Sequence, residues 1–324
     1  MRAVVCEAFG PPSSLTIADI KAPQAGPGEV VVDVKAAALN FFDTLIIEGK
    51  YQVRPPMPFS PGAEMAGVVA SVGDGVTRVK PGDKVAAYTK FGCCREQVLL
   101  SEDDVIAVPD GVDFETAAGL MVTYGTTMHA LRGRARLQEG ETIAVLGASG
   151  GVGQAAVEIS KLMGARVIAC ASSEEKLAFA RKSGADETVN YAEEDLKTRL
   201  KALTGGCGVD VVYDPVGGAY AEAALRATAW RGRFLVIGFA SGEIPKIPLN
   251  LALLKGCDIL GVFWGEAIVR EPEDHWADVA QLLAWAAEGK LKPHIHAVYP
   301  LVQTAEALEE LAQRRALGKV IVKP

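Results

Sequence analysis

The rhythm of apolar residues changes near residue 114. Before that point, short β-rich stretches are cut by Gly and Pro. Residues 29–38, 65–72 and 83–88 read as strands, the first nine residues as an opening strand, and Pro81-Gly-Asp83 and Pro109-Asp-Gly111 as turns. Such texture predicts a β-barrel-like module. Beyond it, apolar strands at 142–146, 166–171, 187–190, 209–213 and 233–238 each follow a helical segment, which predicts an α/β domain with a parallel, doubly wound sheet. A sixth strand at 257–263 follows a short helix at 250–255. A helix at 272–288, a strand at 295–299, a helix at 304–315 and a strand at 319–323 close the chain without extending the alternation. They are expected to return to the first module. The expected division is a first module of residues 1–122 and 264–324 around an α/β domain of residues 123–263.

The strand at 142–146 runs into Gly147-Ala-Ser-Gly-Gly-Val-Gly153 and an amphipathic helix at 154–163. A strand, a glycine turn and a helix in that order form a dinucleotide fingerprint. The glycines give a tight turn, backbone approach to a pyrophosphate and close helix–strand packing, and the helix N-terminus offers unpaired N–H groups and partial positive charge. Gly147, Ser149, Gly150, Gly151, Val152 and Gly153 are therefore candidate cofactor contacts, with Gly238 at the end of a later strand. An NAD-type site places a carboxylate at the end of the second strand. Here that strand ends in Ser172-Ser173, and Glu174 and Glu175 fall in the first turn of the next helix, where acids are favoured anyway. Ser172, Ser173 and Lys176 supply the hydroxyls and the cation that a 2′-phosphate needs, which predicts NADPH rather than NADH. A solvated lysine paired with glutamate is the other reading of Lys176.

Composition narrows the partners. The chain has 324 residues, of which 49% are hydrophobic and 23% charged, so large-scale disorder is excluded. Its net charge of −7 comes without an acidic block, and nucleic acid is not an expected partner. Runs such as Glu102-Asp-Asp104 and Glu193-Glu-Asp195 read as solvated turns or helix starts. No apolar run approaches the roughly 18–20 residues of a membrane span, and the N-terminus reads as a strand rather than a signal sequence. Cysteines 6, 93, 94, 170, 207 and 257 are scattered, mostly within apolar stretches read as strands, as expected of reduced thiols in a cytoplasm. No Cys-x-x-Cys occurs, and histidines 129, 275, 294 and 296 make no ligand spacing, so a bound zinc is not expected.

The order of motifs resembles the medium-chain dehydrogenase/reductase superfamily, and within it the zinc-free NADPH:quinone oxidoreductases of the zeta-crystallin group. The resemblance spans essentially the whole chain. It is carried by Ala38-Leu-Asn-Phe-Phe-Asp43, Pro61-Gly-Ala-Glu-Met-Ala-Gly67, Val79-Lys-Pro-Gly-Asp-Lys-Val85, Thr123-Tyr-Gly-Thr126, the glycine loop, Ala185-Asp-Glu-Thr-Val-Asn-Tyr191 and Val212-Tyr-Asp-Pro-Val-Gly217. It implies a GroES-like β-barrel domain joined to a Rossmann domain. Where zinc alcohol dehydrogenases carry Gly-His-Glu, this chain reads Gly62-Ala63-Glu64, and the spaced cysteines of their structural zinc are missing. The resemblance thus points away from Lewis-acid alcohol oxidation and toward hydride transfer to a quinone or an activated enone.

Several site residues follow from the resemblance. Asn40 and Asp43 match the family's Asn-x-x-Asp near the nicotinamide; Asn40 is equally a good cap for a helix at 41–48. Tyr51 matches a tyrosine thought to donate a proton, and a packed loop aromatic is its plainer role. Thr123 matches a threonine near the nicotinamide, or is an ordinary hydroxyl in the first turn of a helix. Tyr191 and Arg314 match residues beside the 2′-phosphate, as does Lys176. Phe263 and Trp264 follow the sixth strand, where relatives touch the nicotinamide amide through backbone. The same strand forms the subunit contact in the superfamily, so a homodimer is implied. An enoyl-thioester (enoyl-CoA) reductase, and a non-catalytic NADPH-binding structural or sensor protein, are the competing functions.

Overall fold

The computed structural model describes residues 1–324 and divides into two compact units, Met1–Val122 with Gln281–Pro324, and Thr123–Ala280. The opening strand is shorter than expected: β1 (Arg2–Val5) pairs with β2 (Thr16–Asp19) in a separate antiparallel ribbon. Next come β3 (Glu29–Leu39), α1 (Phe41–Ile47), β4 (Glu64–Val72), β5 (Lys84–Tyr88), β6 (Gln97–Ser101), β7 (Val105–Ala107) and α2 (Phe114–Met128). The acidic run Glu102–Asp104 forms a single 3₁₀ turn capped by Ser101.

The second unit holds β8 (Thr142–Leu146), α3 (Gly151–Leu162), β9 (Arg166–Ala171), α4 (Glu174–Lys182), β10 (Glu187–Asn190), α5 (Leu196–Leu203), β11 (Val209–Asp214), α6 (Ala219–Arg226), β12 (Thr228–Val236), α7 (Asn250–Lys255), β13 (Asp258–Gly261) and α8 (Trp264–Arg270). All six strands are parallel, in the order β10-β9-β8-β11-β12-β13. This doubly wound order reverses direction between β8 and β11, where such sheets bind ligands beyond their C-terminal ends. Alternate positions on one face carry Ala144, Leu146, Ile168, Cys170, Val212 and Phe234 into one continuous core with Leu200, Leu225 and Leu251 from the helices.

Last come α9 (Pro272–Ala287), β14 (Ile295–Pro300), α10 (Thr304–Ala312) and β15 (Lys319–Lys323). β14 and β15 complete the first unit's sheet, which runs β14-β15-β3-β4-β5-β7 with β6 also on β3. Leu301, Ala307, Leu308, Val320 and Val322 join Val32, Leu39, Met65 and Val85 in its core.

The chain returns to the first unit at Gln281, not at residue 264. Residues 264–280 stay with the second unit for physical reasons. The Trp264 ring covers Gly125 and meets the His275 ring edge-on at 5.7 Å, and Arg132 Nη1 donates to Asp278 Oδ1 at 2.7 Å. No helix is long and apolar enough to cross a membrane. Of the six free cysteines only Cys170 lies within a strand; Cys207 is exposed and the other five are buried.

Candidate functional site

In the second unit the glycine loop is built for backbone chemistry. The helix after it starts at Gly151, inside the glycine motif, rather than at residue 154. Gly150, at the N-cap, has extended backbone and no side chain to satisfy the first turn, so the leading N–H groups of α3 keep their capacity for an anion. Gly147 has a positive φ of 58°. A Cβ on Gly153 would lie 2.2 Å from the Gly147 carbonyl oxygen, so the loop and helix close only with glycine there. A Cβ on Gly150 would meet nothing nearer than 3.6 Å, which leaves its outer side open for a ligand to approach. Ser149 is buried within the loop, and Gly151 and Val152 open the helix.

Across the switch point, Asp214 ends β11 and accepts from the Val216 and Gly217 N–H groups at 2.9 and 2.8 Å. Those bonds set the loop whose Val216 side chain lies against Gly147. Gly238 joins the same structure through its N–H to the Asp214 carbonyl, at 3.3 Å. At the end of β9, Ser173 caps α4 and Lys176 Nζ stands 3.5 Å from Ser172 Oγ. Glu174 pairs with Arg181, not with Lys176. Tyr191 follows β10 and its ring lies 4.2 Å from that of Tyr220. Hydroxyls and a lysine thus gather at one strand end. The cradle and this group fit a dinucleotide with a 2′-phosphate.

The first unit holds a buried polar cluster. Register builds it: β3 pairs with β4 through Ala38 and Glu64, and with β15 through Leu39 and Val320. Asn40, Glu64 and Lys319 therefore stand at three neighbouring strand ends. Lys319 Nζ donates to Glu64 Oε1 (2.7 Å), Asn40 Oδ1 (2.8 Å) and the Leu39 carbonyl (3.3 Å). Asn40 Nδ2 donates to Glu64 Oε1 at 2.8 Å, and the Val122 N–H to Glu64 Oε2 at 2.6 Å. Asn40 occupies the N-cap of α1, and its backbone N–H donates to Asp43 Oδ2 at 2.7 Å, while its carboxamide turns to Lys319 and Glu64.

Asp43 Oδ1 is buried without a partner. Burial pushes the Asp43 carboxyl up to about 7, with the Asn40 N–H opposing and the Glu64 charge adding to the rise. Tyr51 stacks on Phe42 with centroids 5.4 Å apart, and burial together with Asp43 raises its phenol above the ordinary range. Burial also raises Cys93 to about 12, so this thiol is inert although Thr89 Oγ1 lies 3.0 Å away.

Residues 26–130 match the alcohol dehydrogenase GroES-like domain, and residues 151–288 the zinc-binding dehydrogenase family. The chain is 38% identical to quinone oxidoreductase-like protein 2 of Rattus norvegicus over 322 residues, covering 99% of this chain and 91% of that protein. It is 37% identical to quinone oxidoreductase of Pseudomonas aeruginosa, covering 98% of each. The chain belongs to the quinone oxidoreductase family. Escherichia coli quinone oxidoreductase complexed with NADPH superposes with a TM-score of 0.93 at 31% identity over 100% of each chain.

Within this family fold the remaining expected positions separate. Thr123 is buried in the interior of α2, not in its first turn. Its carbonyl accepts from Thr127 Oγ1, which in turn meets the Tyr213 hydroxyl at 2.9 Å. Phe263 is exposed at the N-cap of α8, while the Trp264 side chain is spent on packing over Gly125. Arg314 belongs to the first unit, in left-handed conformation (φ 56°) just past α10. Glu64 and Lys319 carry the cluster, yet Glu64 was legible only inside a motif and Lys319 only as the start of a strand. Their signal was a charge placed in an otherwise apolar strand.

Proposed function

We propose that this protein is an NADPH-dependent, metal-free reductase that transfers a hydride to a quinone or an electron-poor enone, working in the cytoplasm as a homodimer. The carrying observation is the Asn40–Glu64–Lys319 cluster beside buried Ala63: its cation is an ammonium, and a methyl group stands where a metal-dependent relative has an imidazole. No three His, Cys, Asp or Glu side chains converge to hold an ion. A quinone needs little activation, so placement and a hydrogen-bond donor suffice.

Bound NADPH supplies the hydride. On our reading the leading N–H groups of α3 with Ser149 hold the pyrophosphate, and Ser172, Ser173, Lys176 and Tyr191 hold the 2′-phosphate. Thr123 and the backbone after β13, at Phe263 and Trp264, orient the nicotinamide. Asn40 donates to the acceptor carbonyl. Tyr51, whose phenol is raised above its ordinary range, gives its proton to a reduced enone on this reading. Unpaired thiols agree with a reducing compartment. β13 is an exposed sheet edge, and Leu249, Leu253 and Leu254 of the adjoining α7 segment stand 79%, 78% and 68% exposed, an apolar surface that suits a second copy.

An NADPH-oxidation assay over 1,4-benzoquinone, 2-cyclohexenone and crotonyl-CoA tests the reading. Benzoquinone is expected to turn over fastest, with activity unchanged after dialysis against EDTA. Preference for crotonyl-CoA would transfer the assignment to an enoyl-thioester reductase, and loss of activity on chelation would restore a metal.

A further inference from the structure

Lys319 and Glu64 are 2% and 0% exposed, and enclosing two charges is costly unless every remaining donor and acceptor is met. Here they are met in one specific way. The ammonium has three donors, and Leu39, Asn40 and Glu64 take all three. Glu64 spends one oxygen on Lys319 and the Asn40 amide, and the other on the Val122 N–H. The Asn40 carboxamide is therefore gripped at both ends, its oxygen by a cation and its nitrogen by a carboxylate. Rotating it by half a turn would set N–H against ammonium and oxygen against carboxylate, two repulsions in place of two charge-assisted bonds.

Two consequences follow for a ligand. The Asn40 oxygen is turned to Lys319, and Nδ2 keeps one N–H beyond the one given to Glu64, so the carboxamide is fixed in one flip state with that N–H left for a ligand. An ammonium on the carboxamide oxygen also draws electron density from the nitrogen and strengthens that N–H as a donor. Such a donor matches a carbonyl oxygen that gains negative charge during reduction.

We propose that Lys319, braced by Glu64 and acting through the Asn40 carboxamide, is the positioning residue that holds Asn40 in the one amide orientation that donates to the acceptor carbonyl. The inference rests on the reductase reading above. Lys319→Met alone would strand a buried carboxylate, so the test pairs it with Glu64→Gln, which preserves volume without leaving a lone charge.

With 1,4-benzoquinone and saturating NADPH, the double variant should lose at least tenfold in kcat while NADPH binding, read by fluorescence titration, stays within twofold. In an Asn40→Ala background the same double change should cost less than a further twofold, because the route through Asn40 is already cut. In the apoprotein, the Asn40 side-chain amide resonances, assigned by their loss in Asn40→Ala, should shift in the double variant. Losses that multiply across the two backgrounds, or an unshifted Asn40 amide, overturn the proposal. Should the double variant not fold, Lys319→Leu with Glu64→Gln, which likewise removes the ammonium without leaving a lone charge, carries the same comparison. A wild-type protein that reduces no quinone or enone defeats the reductase reading, while the amide shift still decides whether Lys319 holds Asn40.

Discussion

At Asp43, burial outweighs the hydrogen bond from the Asn40 N–H and the nearby Lys319, and the carboxyl rises from 3.8 to about 7. The folded state therefore holds a proton that the unfolded chain has already lost between those values. Stability from this group is full below pH 3.8 and is lost as pH rises through about 7, by on the order of 4 kcal/mol in total. Urea unfolding should show wild type losing about 2–3 kcal/mol relative to Asp43→Asn between pH 5 and pH 8; parallel curves would show that Asp43 is ionised throughout. Single residues were legible where a contiguous motif carried them. Ser172, Ser173 and Lys176 lie within one turn of each other, and the structure gathers them. Glu64 and Lys319 stand 255 positions apart, and only the register of β3, β4 and β15 brings them into contact.

Among elements, the β8–α3 turn shows best how sequence dictates shape. Gly153→Ala would drive a methyl into the Gly147 carbonyl at 2.2 Å and is expected to cost about 1–3 kcal/mol and weaken NADPH binding. Gly150→Ala, with φ −77° and its nearest neighbour at 3.6 Å, should leave thermal stability within a degree or two. Equal melting temperatures for the two variants would contradict the steric account. Strands of the parallel sheet were readable because burial on both faces makes them continuous apolar runs. Ends were less so. α10 stops at Ala312 rather than at residue 315, because the Arg314 left-handed turn ends it where the apolar pattern did not. The first half of α9 looks like any amphipathic helix, and its allegiance to the second unit depends on Trp264, His275 and Asp278, whose partners lie far off in sequence.

For the whole molecule, two units, a parallel sheet and a β-rich partner module were legible because βαβ alternation and Gly/Pro-punctuated strands have different periods. Polar clusters were not, since they form where strands from distant sequence end together. Assembly is testable at this scale. Ile259→Lys on β13 with Leu253→Glu on α7 should convert a dimer to a monomer in light scattering without lowering the melting temperature of each chain's core; a wild-type monomer would remove the second copy from the account. Hydride transfer itself is read by following deuterium from NADPH labelled at one C4 face, with 1,4-benzoquinone as acceptor. One NADPH should be consumed per quinone, with a primary isotope effect for one label stereochemistry only and at least tenfold preference over NADH. No isotope effect with either label under chemistry-limited conditions, or no oxidation of NADPH at all, would contradict it.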